Sequence, residues 1–127
     1  MTTQRIREVE KLPHSTGECD TGPEISFRPG QVSIRYDVET ESGVVWTDVR
    51  FTTAVALRVT PDTAVTKELV SAYSRVCEIK PSRWLENLRL RESDEEVSEH
   101  LRHFAIYFDH FGAVEIVASV FQVSVSA

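Results

Sequence analysis

The strongest constraint on the fold is the stretch from His103 to Phe121, in which apolar residues alternate with other residues in two consecutive runs. Phe104, Ile106 and Phe108 belong to the first run, and the second begins after Gly112. A period of two with β-branched and aromatic side chains is typical of strands, and glycine takes the positive φ that a short loop needs. The stretch therefore predicts a β-hairpin, and we expect it to be central because both faces of its second strand are apolar.

The same alternation predicts three earlier strands. It occurs at residues 25–27 and again at 32–39, and a hairpin turn follows at 41–43. The next run keeps apolar residues or threonine at odd positions from 45 to 59. That run is long for one strand, whose usual length is about five to six residues. We therefore expect a bulge, a bend or a break near residues 52–53.

Helix signals occur between these strands and the hairpin. Residues 60–62, Thr-Pro-Asp, are a typical helix start, and the apolar stripe that follows predicts a helix that ends near Tyr73. Residues 75–79 predict a short strand. Residues 81–82 begin a second helix, and residues 93–101 form either a third helix with Ser93 as its N-cap or an exposed loop.

This order of elements predicts an α+β fold, with a largely antiparallel β-sheet and two or three helices packed on one side. Residues 1–23 are polar and contain several Pro and Gly breakers, which predicts a partly ordered N-terminal tail in which residues 5–12 could form a short helix or strand. Residues 24–127 form the predicted single α+β domain. The predicted core contains Ile34, Val49, Phe51, Val55, Leu69, Trp84, Ile106, Phe108, Ile116 and Val120.

Composition and charge narrow the class of protein. The formal net charge of −6 argues against nucleic acid as a partner, although local basic patches remain possible. No apolar run approaches the roughly 20 residues that span a bilayer, and the first 17 residues lack the apolar segment of a signal peptide. Cys19 and Cys77 are best explained as free thiols in a reducing compartment. We expect a cytoplasmic protein without a membrane partner.

Groups that could perform chemistry are scattered. His100 and His103 are three residues apart, a spacing that on a helix puts them on one face, whereas Asp109 and His110 lie at the hairpin tip, at the far end of a strand that spans roughly 17 Å. Metal ligands lie only about 2 Å from their ion, so these four residues cannot form one site, and we expect no metal and no cofactor. Cys77 has no glycine-rich turn beside it, which favours a core position over a nucleophile.

The residues with most potential for binding lie on the even-numbered face of the long predicted strand. Trp46, Arg50 and Arg58 share that face, with Asp48 between them. Tryptophan and arginine are enriched in binding hot spots, so this face is a candidate recognition surface. The alternative is a face covered by helices, with Trp46 packed beneath them and the arginines extending to solvent.

Two classes of function fit this pattern. The first is a small non-catalytic binding module, which is favoured because no catalytic set converges. The second is a small cofactor-independent enzyme or small-molecule-binding protein with a pocket between sheet and helices, so whether the chain is an enzyme stays open. In that alternative Tyr36, Asp37, Tyr107 or His103 would supply acid–base groups.

Self-association is predicted from the C-terminal run at residues 121–125, which alternates apolar residues and carries no charge. Edge strands are usually protected by Lys, Pro or a bulge, and residues 114–127 contain Glu115 as their only charged side chain and no proline. We therefore expect a homodimer, with a protein partner or a small-molecule ligand as further possibilities.

Overall fold

The computed structural model describes residues 4–19 and 22–126, and within them antiparallel sheet dominates over three short α-helices. The strands are β1 Arg5–Lys11, β2 Glu24–Arg28, β3 Gly30–Thr40, β4 Gly43–Ala54, β5 Ala56–Pro61, β6 Arg75–Lys80, β7 Arg102–Phe108, β8 Gly112–Ala118 and β9 Val120–Ser126. The helices are α1 Lys67–Val70, α2 Arg83–Arg91 and α3 Glu95–His100, and a 3-10 helix covers Asp62–Ala64.

The strands form two antiparallel sheets, where the sequence suggested one. A five-stranded sheet has the order β1-β6-β7-β8-β5, and a four-stranded sheet has the order β2-β3-β4-β9. The predicted hairpin is confirmed, since β7 pairs with β8 and β7 is the middle strand of the larger sheet. Gly112 begins β8 at φ 138°, and a Cβ atom there would collide with the carbonyl oxygen of Thr60.

The predicted break in the long strand is also confirmed, and it is where the chain passes from one sheet to the other. Thr53 has φ 55°, a conformation that a β-branched residue rarely adopts, and β4 and β5 lie on either side of Val55. The chain changes sheet a second time after β8, beside the first crossing. Ser119 separates β8 from β9, and its N–H donates to the carbonyl of Thr52 at 3.1 Å.

The core lies between the two sheets. Six of the predicted core residues are buried there, namely Ile34, Val49, Phe51, Ile106, Phe108 and Ile116. Val55, Leu69 and Trp84 are only partly buried. Val120 is 54% exposed, so its assignment to the core was wrong. The cause is the change of sheet at Ser119, which reverses the alternation so that Phe121 and Val123 pack against the core instead.

The helices differ in part from prediction. Thr60 and Pro61 do not begin a helix, because they pair with Ala113 and Gly112 as the end of β5. The 3-10 helix and the four-residue α1 follow, and the side chain of Thr66 caps α1. α2 begins as predicted, with Ser82 as its N-cap. The third helix is capped by Asp94 rather than Ser93.

The N-terminal residues contribute to the sheet and to the core. β1 pairs with β6 along its length, and it is interrupted by a bulge between Glu8 and Glu10. Leu12 and Thr16 are buried. The residues that the sequence assigned to a tail therefore include a paired edge strand. No helix in the described part of the chain is both long enough and apolar enough to cross a bilayer.

Candidate functional site

A buried hydrogen-bonded row crosses the face of the five-stranded sheet that points away from the core. His103 lies at its centre, with Nδ1 2.7 Å from the hydroxyl of Ser82 and Nε2 2.8 Å from Oε1 of Glu115. Arg58 completes the row with two hydrogen bonds to the Glu115 carboxylate, at 2.8 and 3.1 Å. Ser82, His103 and Glu115 are each at most 3% exposed, so the row is shielded from water over most of its length.

The partners of His103 determine its tautomer. A carboxylate can only accept hydrogen bonds, so Nε2 carries the proton that is donated to Glu115. In the neutral ring Nδ1 then accepts the proton of the Ser82 hydroxyl. Burial favours the neutral form of Glu115, but the hydrogen bonds from His103 and Arg58 outweigh it and lower the pKa of this carboxyl.

The row is also tied to α2. The Ser82 oxygen accepts the N–H of Leu85 at 3.0 Å, as expected of an N-cap. The Arg58 guanidinium lies 4.3 Å from the centre of the Trp84 ring, and Trp84 meets the His103 ring edge-on with centroids 5.1 Å apart. A hydroxyl beside an imidazole and a carboxylate is the arrangement of a general base with its nucleophile. Here the same contacts also fasten α2 to the sheet.

Two cavities flank this row. A cleft of about 670 Å³ between α2, α3 and the ends of β6 and β7 includes Ser82 in its wall. A second cavity, of about 530 Å³, lies beside α1 and is lined by Arg58, Glu115, Thr60 and Glu68, among others. Ser82, at one end of the row, thus lines one cavity, and Glu115 and Arg58, at the other end, line the second.

Tyr107 lies on the same face of β7 as His103 but belongs to a different cluster. Its hydroxyl donates to Asp62 at 2.5 Å, and this bond together with burial raises the pKa of Tyr107 to about 12. One possible ligand atom each from Asp62, Asp109 and His110 lies within 4.8 Å of the others. From the sequence, Asp109 and His110 were placed together at the hairpin tip, but Asp62, which follows the last residue of β5, was not included. Such exposed groups are common without an ion, and the expected absence of a metal stays a prediction.

Tyr36 and Asp37 point to opposite faces of β3. Tyr36 is fully buried, its hydroxyl donates to the carbonyl of His14 at 2.8 Å, and burial raises its pKa. Its ring packs edge-on against Phe108. Tyr36 is therefore a core residue in this fold, whereas Asp37 lies on the outer face of the four-stranded sheet, opposite Trp46.

The outer face of the four-stranded sheet carries Trp46 and Arg50, as the even-face pattern predicted. Arg58 is not with them, because the chain enters the other sheet after Ala54. Arg35 joins the face instead, with its guanidinium 4.3 Å from the centre of the Trp46 ring. Arg50 lies 3.7 Å from Asp48.

Two carboxylates on this face are not fully satisfied. Oδ1 of Asp37 and Oδ1 of Asp48 are both buried, and neither receives a hydrogen bond from any described residue. Their positions are diagonal across β3 and β4, since Asp37 is opposite Trp46 and Asp48 is opposite Arg35. A buried acceptor without a donor costs about 1–3 kcal/mol. A donor supplied from outside the chain would recover that energy once the side chains that cover these oxygens move aside.

Sequence reasoning missed a second buried carboxylate, Glu78, on the other face of the five-stranded sheet from His103. Its oxygens accept two hydrogen bonds from Arg102, at 3.0 and 2.9 Å, and one from Arg7 at 3.0 Å. The ammonium of Lys80 lies 3.7 Å away. The Arg102 fork lowers the pKa of Glu78 against the effect of burial. The available signal was a charged residue between the apolar Cys77 and Ile79 in a predicted strand. A glutamate that is buried in a strand needs an oppositely charged partner.

The two cysteines are free and unreactive in character. Burial raises the pKa of both the Cys19 and the Cys77 thiol to about 11. The thiolate is the nucleophilic form, so neither side chain resembles a catalytic cysteine at neutral pH.

No protein-family model, curated protein or solved structure matches the chain.

Proposed function

We propose that the protein is a small non-catalytic binding module that recognises a protein partner through the outer face of the four-stranded sheet. The observation that carries the proposal is the pair of buried, unsatisfied carboxylate oxygens of Asp37 and Asp48 beside the half-buried Trp46. Hot spots in protein interfaces combine a tryptophan or arginine anchor with polar groups that become paired on binding. This face offers both.

The chemistry of the face defines the partner. Carboxylates that lack donors favour a partner that presents lysine or arginine side chains. The Trp46–Arg35 stack supplies a flat surface against which such a side chain can pack, with Arg35 as a competitor that must move aside. A protein with a formal net charge of −6 also attracts a basic partner over longer distances.

The groups that could perform chemistry support a non-catalytic role. His103 already has partners for both ring nitrogens, Glu115 is held by His103 and Arg58, and the hydroxyl of Ser82 caps α2. Ser82, His103 and Glu115 are each at most 3% exposed, so a substrate would have to displace the residues that cover them. We further propose a cytoplasmic location, for which the two free cysteines are the support.

Partner capture from an extract of cells that make the protein tests the proposal when variants are run in parallel. We expect Trp46→Ala and Asp48→Asn to lose the captured partner, and the matched variant Arg28→Gln, exposed near the far end of the same sheet, to retain it. Calorimetry with the purified partner should then show affinity at least about tenfold lower for Trp46→Ala. A partner that all variants retain equally would place the interface elsewhere.

The second candidate is a cofactor-independent enzyme or small-molecule-binding protein. Its support is the cleft of about 670 Å³ that reaches Ser82, whose hydroxyl oxygen lies 2.7 Å from Nδ1 of His103. This candidate assumes that the helices pack on one side of the five-stranded sheet. Its support is that Leu85 and Val117 belong to one buried cluster, and that Leu69 packs against the buried cluster that includes Tyr107. A fluorophosphonate probe distinguishes the candidates. Labelling of Ser82 that is lost in His103→Gln would contradict a non-catalytic module.

We also propose that the protein forms a homodimer through β9, which is an edge strand of the four-stranded sheet. Val120 and Val125 are 54% and 48% exposed on this strand, and its sequence contains no charged residue. Unprotected edges pair readily with a second strand. Two copies paired at this edge would form one continuous sheet.

A further inference from the structure

We infer that the protein binds a small oxyanion, with phosphate or carboxylate chemistry, at a cationic cluster formed by Arg5, Arg7, Lys80 and Arg102 around Glu78. The cluster lies on the five-stranded sheet and shares no residue with the face proposed for protein binding. This site is therefore independent of the proposed function.

Strand register brings the cluster together. At the β1–β6 edge Arg5 is directly opposite Lys80, and Arg7 is directly opposite Glu78. Glu78 is in turn opposite Phe104 of β7, two residues after Arg102. The hydrogen bonds of Arg7 and Arg102 to the Glu78 carboxylate place these side chains on one face of the sheet.

Glu78 cannot neutralise this cluster. Its side chain is 1% exposed and it is ionised, as its lowered pKa indicates, so four positive charges face one negative charge. Arg7 and Lys80 are each 70% exposed, and no described residue other than Glu78 forms an ion pair with either. Like charges directly opposite on neighbouring strands destabilise a sheet, and this applies to the Arg5–Lys80 pair. A bound anion would remove that repulsion.

A cleft of suitable size adjoins the surplus charge. It has a volume of about 390 Å³ and is lined by Arg5, Ile6, Arg7, Glu78 and Lys80. The larger cleft on the other side of Glu78 reaches Arg102 and Arg89, but Glu86 and Glu99 in its wall offset those charges. The anion therefore belongs in the smaller cleft, where the free N–H groups of two arginines and a lysine can surround its oxygens.

The size of the ligand follows from the charge of the whole chain. The net charge of −6 repels an extended polyanion such as a nucleic acid from the surrounding surface. A small anion contacts only the cationic cluster and avoids that repulsion.

Calorimetric titration of the full chain with pyrophosphate and with citrate at low salt tests the inference. We expect both to bind, and the double variant Arg5→Gln/Lys80→Gln to bind about tenfold more weakly or worse, because two charge-assisted contacts are lost. Both side chains are exposed, so the fold should persist, and circular dichroism checks this. Tighter pyrophosphate binding would assign phosphate chemistry to the site, and tighter citrate binding would assign carboxylate chemistry.

The matched control is Arg28→Gln/Arg50→Gln, which removes two exposed cations from the other sheet. Its affinity for either anion should equal that of the unmodified chain. If Arg5→Gln/Lys80→Gln proves unstable, the single variant Arg5→Gln on the edge strand takes its place, with a smaller loss expected. No binding at millimolar anion, or equal binding by the cluster and control variants, would overturn the inference. Trp46→Ala should leave anion binding unchanged, so failure of the proposed protein interface is recognised separately.

Discussion

The buried residues His103, Glu115 and Glu78 are each held by several partners drawn from distant parts of the chain. His103 could be selected from the sequence as a candidate, but Ser82, Glu115 and Arg58 could not be assigned to it. They come from the start of α2, from β8 and from β5, and only strand pairing brings them within hydrogen-bond distance. Residue-level patterns report which side chains are polar. They do not report which of them share a buried face.

Replacing Glu115 with alanine should destabilise the protein markedly. The substitution leaves Nε2 of His103 buried without an acceptor and removes the ion pair of Arg58. We expect the free energy of unfolding to fall by about 3 kcal/mol. This value is at the lower end of the range for breaking a buried ion pair, because Arg58 is half exposed. Urea denaturation measures it, with exposed Glu68→Ala as the control. A loss no greater than that of the control would show that the row contributes little to stability.

Glu78 should make stability depend on acidity. Its folded-state pKa lies below the ordinary value of 4.5, so the unfolded chain binds this proton more readily than the folded protein. The stabilisation is therefore complete above pH 4.5 and is lost as pH falls below it. Unfolding free energies for Glu78→Gln should fall less steeply between about pH 5 and pH 3 than those of the unmodified chain. Parallel curves for the two proteins would contradict this, and exposed Glu86→Gln is the control.

Individual elements were predicted best where the alternation of apolar residues extended over many positions and the residues of the turn were distinctive. The β7–β8 hairpin, the break near Thr53 and the start of α2 at Ser82 follow from local sequence. The helix predicted at Thr60 was wrong because Pro61 suits the end of an edge strand as well as the first turn of a helix. Local capping signals cannot distinguish these states without knowledge of the strand that pairs with β5.

The central position of the hairpin makes Ile106 a sensitive test of its packing. This side chain is fully buried in the core between the sheets. Ile106→Ala should lower the free energy of unfolding by about 2–5 kcal/mol, through lost burial and the cavity that remains. Val59→Ala, at a position that is 44% exposed on β5, should change it far less. A loss below about 1 kcal/mol for Ile106→Ala would show that the site collapses or is poorly packed.

At the scale of the molecule, two sheets related by a shared bend replace the single predicted sheet. The bend takes both β4–β5 and β8–β9 from one sheet to the other, which separates Arg58 from Trp46 and Arg50. The sequence predicted the break at Thr53 but not its consequence, because strand order depends on contacts between residues far apart in the chain. The same bend leaves one outer sheet face exposed and makes β9 an edge.

That edge leads to the prediction of a homodimer. β9 is paired with β4 on one side, and no strand among residues 4–19 and 22–126 pairs with its other side, which can therefore pair with a second copy. A two-fold pair is expected, since closed symmetric dimers dominate homo-oligomers. Light scattering at micromolar concentration should then give twice the 14.4 kDa of one chain.

Val125→Lys should shift the mass toward that of one chain, because a charged edge resists strand pairing. Val44→Lys is the matched control, since Val44 is 51% exposed on the same sheet but belongs to β4 and not to β9, and it should remain dimeric. A mass of one chain for the unmodified protein would exclude the dimer, and equal dissociation by both substitutions would move the interface away from β9.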